Sequence, residues 1–405
     1  MAQGIAKQLI YKKQVAKGSP ASGSGGQLLR RRTANFTLAR ETYENDEITS
    51  HQQSTGATAG LKGVTGRYQG LLSPKTHQDF YAAALRKVFV GTSNLTGLSL
   101  TIAASGGNYT ITRGTGDFLT GGIKAGDVIR ITAGSFDAAN LNKNLLVLEV
   151  TSATVLTVRA LNGSALTAEG PVGSATIAVP GKKVWAPTSG HTDDWFTFEE
   201  FYPDVASGRS ELNTDVKTGQ IQVGLPASGN TTIDIDFVGL DRTLGASQVL
   251  TTPAAETTTP VLAAVNGLVT VNGTVTRLTG AQITINGGIA QGEAEVGSNT
   301  RDDVQRGRIQ VSGQITAKFS GITLQQAYED QSVNSITLVA AADGTATADF
   351  ITFVIPRVKF FGDAPDDGEK EIIRTYPFTA EINGAGGANL ASHQTILSIQ
   401  DSQAA

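Results

Sequence analysis

The sequence predicts a mainly β protein with one flanking α-helix and a second, small β-barrel inserted into the main body. Three observations carry this. Thr, Val, Ile and Gly dominate, with 47 Gly and only 12 Pro among 405 residues. Apolar residues alternate with polar ones far more often than they recur at helical spacing. From about Leu98 to Lys182 the texture changes to short strands closely spaced by Gly and Asn.

The elements follow in chain order. Residues 1–26 read as an N-terminal arm, flexible by composition over Ala16–Gly26. A strand is expected over Gln27–Ala39, a long polar loop over Glu41–Gly60 and a returning strand over Gly60–Gln69. In SPKTHQDFYAAALRKVF, Ser73 is placed to cap a helix and Pro74 suits its first position. Phe80, Tyr81, Ala84, Leu85 and Val88 then form an apolar stripe that would cover one face of the sheet. The block 98–182, with GGIKAGDVIRITAG and NLNKNLLVLEV, has its own full set of hydrophobic strands, while its flanks look like neighbours in one body. The main domain is therefore read as 1–97 plus 183–405, with the block joined at surface loops and replaceable by a short Gly/Ser linker.

Further strands are expected at Trp195–Tyr202, Gly219–Gly224, Thr231–Gly239, Ser335–Val339, Phe350–Phe361 and Ile372–Ile382, with a short helix at Leu324–Glu329. The clearest is Ile309–Phe319, where Ile309, Val311, Ile315, Ala317 and Phe319 share one face and Gln310, Ser312, Gln314, Thr316 and Lys318 the other. Asn272–Gly273 and Asn286–Gly287 each predict a tight hairpin, because Asn-Gly suits the type I′ turn. Residues 243–300 carry only Glu256, Arg277, Glu293 and Glu295 as charges, so as an open edge they would need partners.

Composition excludes several functions. With no Cys there is no thiolate nucleophile, zinc ribbon, iron–sulfur cluster or disulfide framework. The balance of 32 Lys+Arg against 36 Asp+Glu, net −4, argues against gripping a phosphate backbone. No stretch approaches the ~18 consecutive apolar residues of a membrane helix. A soluble protein made in a cytoplasm is expected, with no membrane association.

Candidate chemistry is sparse. His51, His77, His191 and His393 are scattered, and no phosphate-binding Gly-Lys loop or GxSxG elbow occurs. Asp234 and Asp236 project from one face of a predicted strand about 7 Å apart, a spacing that could serve glycoside hydrolysis or calcium. The simpler reading is the wet face of a strand whose Ile233, Ile235 and Phe237 face the core. Asp193–Asp194 and Glu199–Glu200 are weaker pairs, and Asp363, Asp366, Asp367 and Glu369 read as a solvated hairpin tip. No catalytic residue, cofactor or metal is assigned, and no enzyme activity is expected. More unusual is the row Arg30, Arg31 and Arg32 on a predicted strand, set against Glu41, Glu44, Asp46 and Glu47 in the loop that follows. Either the loop is a tip with local ion pairs, or acid on one subunit meets base on the next.

The order of features resembles a bacteriophage major tail tube protein of the long, non-contractile (siphophage) type. The resemblance rests on the succession GQLLRRRTANFTLAR, ETYENDEITSHQQSTGATAG, LKGVTGRYQG, the helix, WFTFEEFYPDVASG, KTGQIQVGLPASGNTTIDIDFVG, the Asn-Gly pair, RGRIQVSGQITAKF, LQQAYED, FITFVIPRVKFFG and EIIRTYPFTAEIN, covering 1–97 and 183–390. It implies a tail tube β-sandwich whose copies close into a hexameric ring with a continuous inner barrel. Rings would stack into a hollow conduit for DNA, which passes without specific binding. The implied place is the virion tail, assembled in the host bacterial cytoplasm, with tape measure, tail terminator and distal tail proteins as partners. Arg30, Arg31, Arg32, Glu41, Glu44, Asp46 and Glu47 become the candidate contacts between rings. The inserted block resembles small barrel decorations of tail proteins. A carbohydrate-binding tail fibre or tailspike module, and a capsid decoration protein, stay open as alternatives.

Overall fold

A computed structural model describes residues 3–51, 53–205, 208–366, 369, 371–387 and 390–405. The chain is mainly β, with two short α-helices among the described residues, as the alternation predicts. One antiparallel sheet runs, in spatial order, Thr33–Glu44, Ala57–Leu71, Thr232–Gly239, the second half of Arg209–Pro226, Leu278–Asn286, Gln310–Lys318 and Ile373–Ala380. The pairing of Val358–Phe360 with Phe378–Ala380 turns it into a facing layer of Phe350–Phe360, Asn334–Ala341, Ala263–Val271, Ser398–Asp401 and Lys182–Trp185. One apolar core fills the space between, with Val223, Ile233, Ile235 and Ile283 from one layer and Ile336, Leu338, Ile351 and Phe353 from the other. Burying both inner faces over one core is the sandwich solution for amphipathic sheets.

Strand Arg209–Pro226 belongs to two sheets. Its second half lies in the main sheet, while its first half pairs with Phe196–Tyr202 and Asp241–Gly245. A register shift between Thr218 and Gln220 and a positive φ of 52° at Asp215 accompany the change of partners. Helix α1 (Gln78–Leu85) lies over this junction, with Phe80 ring centroids 4.9 Å from Tyr11, 5.6 Å from Phe196 and 5.3 Å from Phe237.

Several expectations are corrected. The helix begins at Gln78, not near Pro74, and Ser73 does not cap it; the Ser73 hydroxyl is turned to Thr76 and Arg30 instead. Arg86 ends it in the left-handed conformation (φ 58°), which leaves Val88 outside the apolar stripe and exposed. The arm is not wholly irregular, because Gln8–Lys13 pairs with Phe196–Phe201 and buries Leu9, Ile10 and Tyr11. The turn at Asn272–Gly273 joins Ala263–Val271 to Thr274–Val275 with both φ values positive, as expected. Asn286–Gly287 makes no hairpin: the next strand, Ile289–Gln291, pairs with Val304–Arg306. There Asn286 Oδ1 accepts the Gly288 N–H, and Gly288 at φ 60° sends the chain away from its strand. The charge-poor run 243–300 finds partners within the chain. Leu278–Asn286 is a central strand, and the fully buried Glu199 accepts the backbone N–H groups of Val249 and Leu250 at 2.7 Å each.

The block after α1 forms a closed six-stranded barrel between Leu95 and Ala178, with its own core built from Leu100, Ile111, Ile129, Val147, Leu156 and Ile177. It is packed onto the main body. Val128, Leu146 and Leu148 pack on Val339, Ala341, Ala348 and Phe350. The Gln400 side chain accepts the Val128 N–H and donates to the Val128 carbonyl.

Candidate assembly surfaces

The strand Thr33–Glu44 is mostly exposed and forms a long hairpin with Ala57–Leu71. Val64 is level with Gly239, the last paired residue of the neighbouring strand, so the seven steps back to Ala57 carry the ribbon roughly 23 Å past it at 3.3 Å each. What reads in sequence as a loop over Glu41–Gly60 is therefore partly strand, with Thr42↔Ala59 and Glu44↔Ala57 paired and the connection confined to 45–56. Its base is fastened by Lys62 to Asp241 at 2.7 Å and by Glu41 to Arg301 at 2.8 Å. Beyond that Glu44, Asp46 and Glu47 stand in solvent beside Ile48, which is fully exposed.

The arginine row and the acidic tip are not brought together within the subunit, and the row is not on a strand. Arg30 reaches inward, donating to Ser73 Oγ at 2.6 Å, Thr76 Oγ1 at 3.1 Å and the Thr259 carbonyl at 3.0 Å. Arg31 donates to the Gly4 and Lys7 carbonyls. Arg32 is exposed ahead of Thr33–Glu44. Two of the three guanidiniums are thus occupied by backbone and hydroxyl acceptors of the same subunit. Glu41 is likewise taken by Arg301.

At the opposite end of the same sheet lies a cleft of about 430 Å³, walled by the Asn272–Arg277 turn, the end of Gln310–Lys318 and α2 (Thr323–Glu329). Val275, Ala317, Leu324 and Tyr376 line it, with Phe319 40% exposed and Ile322 64% exposed at this end of the sheet. Arg277 is exposed and has no ion-pair partner among the described residues; Lys318 pairs with Glu371 at 2.5 Å.

Asp234 and Asp236 point away from the buried Ile233, Ile235 and Phe237, and Asp236 sits 4.0 Å from Arg67 on the solvent side. Among the described residues no three His, Asp or Glu side chains gather as a metal site. Asp363 pairs with Arg374, and Asp367 lies outside the described residues. His77 is buried in contact with Tyr68, its Nε2 3.1 Å from the phenol oxygen, and burial and then Arg30 lower its pKa to about 3. Burial raises that of Asp401 to about 6 against the backbone N–H groups of Gln403 and Lys75.

Sequence reasoning missed the ionic cluster where the barrel meets the body. Asp127 is 1% exposed and held by Lys124 Nζ at 3.1 Å and Lys183 Nζ at 2.6 Å. Burial alone would push the Asp127 carboxyl up, but the two ammonium groups and the Lys124 N–H hold it below the ordinary range. Its only signal in sequence was a charged pair, Lys124 and Asp127, inside an apolar, Gly-rich run.

The family described as phage tail tube protein matches residues 2–380, nearly the whole chain. No curated protein matches it. A sandwich of this topology, carrying a long projecting ribbon and matched over almost its full length, belongs to the phage tail tube protein family.

Proposed function

We propose that this chain is the repeating subunit of a tail tube of the long, non-contractile type, closing into hexameric rings that stack into the conduit for DNA ejection. The observation that supports this best is the hairpin. The outermost steps of the hairpin, Thr42–Glu44 against Ala57–Ala59, have both faces in solvent, and because a two-stranded ribbon of that kind is marginal alone, its tip finds its contacts on another molecule. The strand Thr33–Glu44 also has no partner on its outer side among the described residues. Such an edge is a template for a neighbouring sheet, which serves ring closure. A net charge of −4 suits a passage that does not hold DNA by counterion release. On this reading the tube is assembled in the host cytoplasm and meets tape measure, terminator and distal tail proteins at its lumen and ends.

Electron microscopy of the concentrated, purified protein tests the reading. Hollow tubes or six-fold rings are expected. Monomers that stay monomers at all concentrations, and that bind oligosaccharide or empty capsids, would overturn it.

A further inference from the structure

We propose that the cleft beside α2 receives the acidic hairpin tip of a second copy of this chain, with Ile48 as the apolar anchor and Arg277 as the charge partner. The proposal rests on the self-assembly reading and supplies the receiving half of the contact. Register fixes the geometry. Leu71 is opposite Thr232, Thr232 opposite Gly224, Pro226 opposite Gly280, and Leu278 opposite Ala317. The cleft at Ala317–Phe319 therefore stands at the Leu71 end of the sheet, and the Glu44–Ala57 end of the hairpin, with Asp46, Glu47 and Ile48 beyond it, projects from the other. Two complementary surfaces at opposite ends of one body make a head-to-tail contact, which repeats without closing and so builds a stack.

The chemistry of the two ends matches. Between Glu41 and Gly60 there is no Lys or Arg, and Glu44, Asp46 and Glu47 are free of ion pairs among the described residues. Among the residues that line the cleft the unpaired charge is the opposite one, Arg277, while the acids Glu329 and Asp330 at the end of α2 lie outside the lining. Ile48 is 102% exposed, and the cleft offers Val275, Leu324 and Phe319 around about 430 Å³, a volume in the range of pockets that take an anchored group, ~300–1,000 Å³. An apolar anchor in a pocket with a polar rim is a usual build of an interface contact point. Arg30 and Arg31, by contrast, are engaged within their own subunit.

The chain has no cysteine, so introduced thiols are the only ones present. Ile48→Cys is combined with Ser320→Cys at the cleft and treated in assembled tubes with a short bis-maleimide. A ladder of covalent multimers is expected, absent from either single variant and from Ile48→Cys with Ser105→Cys on the barrel. Tubes that form with no ladder, or an equal ladder with Ser105→Cys, overturn the proposal while leaving self-assembly standing. A ladder from Ile5→Cys with Ser320→Cys in place of Ile48→Cys assigns the cleft to the N-terminal segment and also overturns it. Unmodified protein that forms neither tubes nor rings overturns both readings. Arg277→Glu should raise the concentration needed for tube growth about tenfold, with recovery on adding Glu47→Arg, as expected for a specific charge pair; no shift overturns the assignment of Arg277.

Discussion

Removing the Asp127 carboxylate should loosen the barrel from the body. Asp127→Ala leaves Lys124 and Lys183, 1% and 3% exposed, as two buried ammonium groups with no carboxylate between them. Breaking a buried ion pair in this way costs about 3–5 kcal/mol, and at about 1.2 °C per kcal/mol for 405 residues unfolding together the midpoint should fall by about 4–6 °C. Replacing all three by Lys124→Met, Asp127→Leu and Lys183→Met should return stability to within about 2 kcal/mol of the unchanged protein, because no charge then remains to be desolvated. The sign of the pH dependence is fixed as well. The folded carboxyl lies below its ordinary value, so its contribution is complete above about pH 5 and fades only as acid carries the pH below about 4. Scanning calorimetry, with hydrogen exchange at Val128 and Leu146, reads both the midpoint and the place where protection is lost. A loss under 1 kcal/mol in Asp127→Ala, or an equal loss in the triple variant, would refute this account of the cluster.

Two further outcomes follow from the same packing. Deleting residues 95–178 with a Gly/Ser linker exposes Val339 and Phe350, at roughly 1.5–3 kcal/mol each; aggregation is expected by light scattering. Adding Val339→Thr and Phe350→Gln to the deletion should recover soluble protein that still forms tubes, and failure of the repaired deletion to fold would make the barrel part of the core. Separately, His77 is held neutral with its pKa lowered to about 3, so its contribution is present above the ordinary value of about 6.5 and is lost progressively below it, by about 3 kcal/mol at pH 4.5. Asp401, raised to about 6, works in the opposite sense over part of that range. The urea-measured stability difference between the unchanged protein and His77→Asn should therefore shrink by that amount from pH 7 to pH 4.5, and a constant difference would refute the buried neutral imidazole.

What the sequence revealed depended on whether a segment has a face to bury. The alternation in Ile309–Phe319 reports the inward Val311, Ile315 and Ala317, and that in Thr231–Gly239 reports Ile233, Ile235 and Phe237. The stretches Arg40–Glu44 and Ala57–Ala59 carry no such pattern because neither face is covered, so a real ribbon reads as a loop. QLIYKK is too short and too lysine-rich to declare itself, yet its Leu9, Ile10 and Tyr11 are buried. The two Asn-Gly dipeptides show the limit of a local signal. Identical residues turn a hairpin at Asn272 and end a strand at Asn286, because at the second site Arg86 donates to the Gly287 and Gly307 carbonyls and draws the chain toward α1. The roles of Arg30 and Asp127 were illegible for a related reason: their partners lie tens to hundreds of residues away, at Thr259 and Lys183.

The polar ribbon also bears on the order of assembly. With no apolar stripe, residues 41–59 cannot fold back onto their own subunit, and three free acids keep the tip solvated. A single tip with one anchor and one exposed charge pair gains little, since exposed pairs are worth about 0–1 kcal/mol. Two free subunits therefore have little reason to stack. In the proposed hexamer the six tips are fixed in one orientation, and after the first engages the others meet their clefts at high effective concentration. Gains of about 0.5–1 kcal/mol per tip then sum to roughly 3–6 kcal/mol per ring. On the proposed assembly, weak single contacts and strong ring-on-ring contacts would arise from the same residues, so that ring closure would precede tube growth.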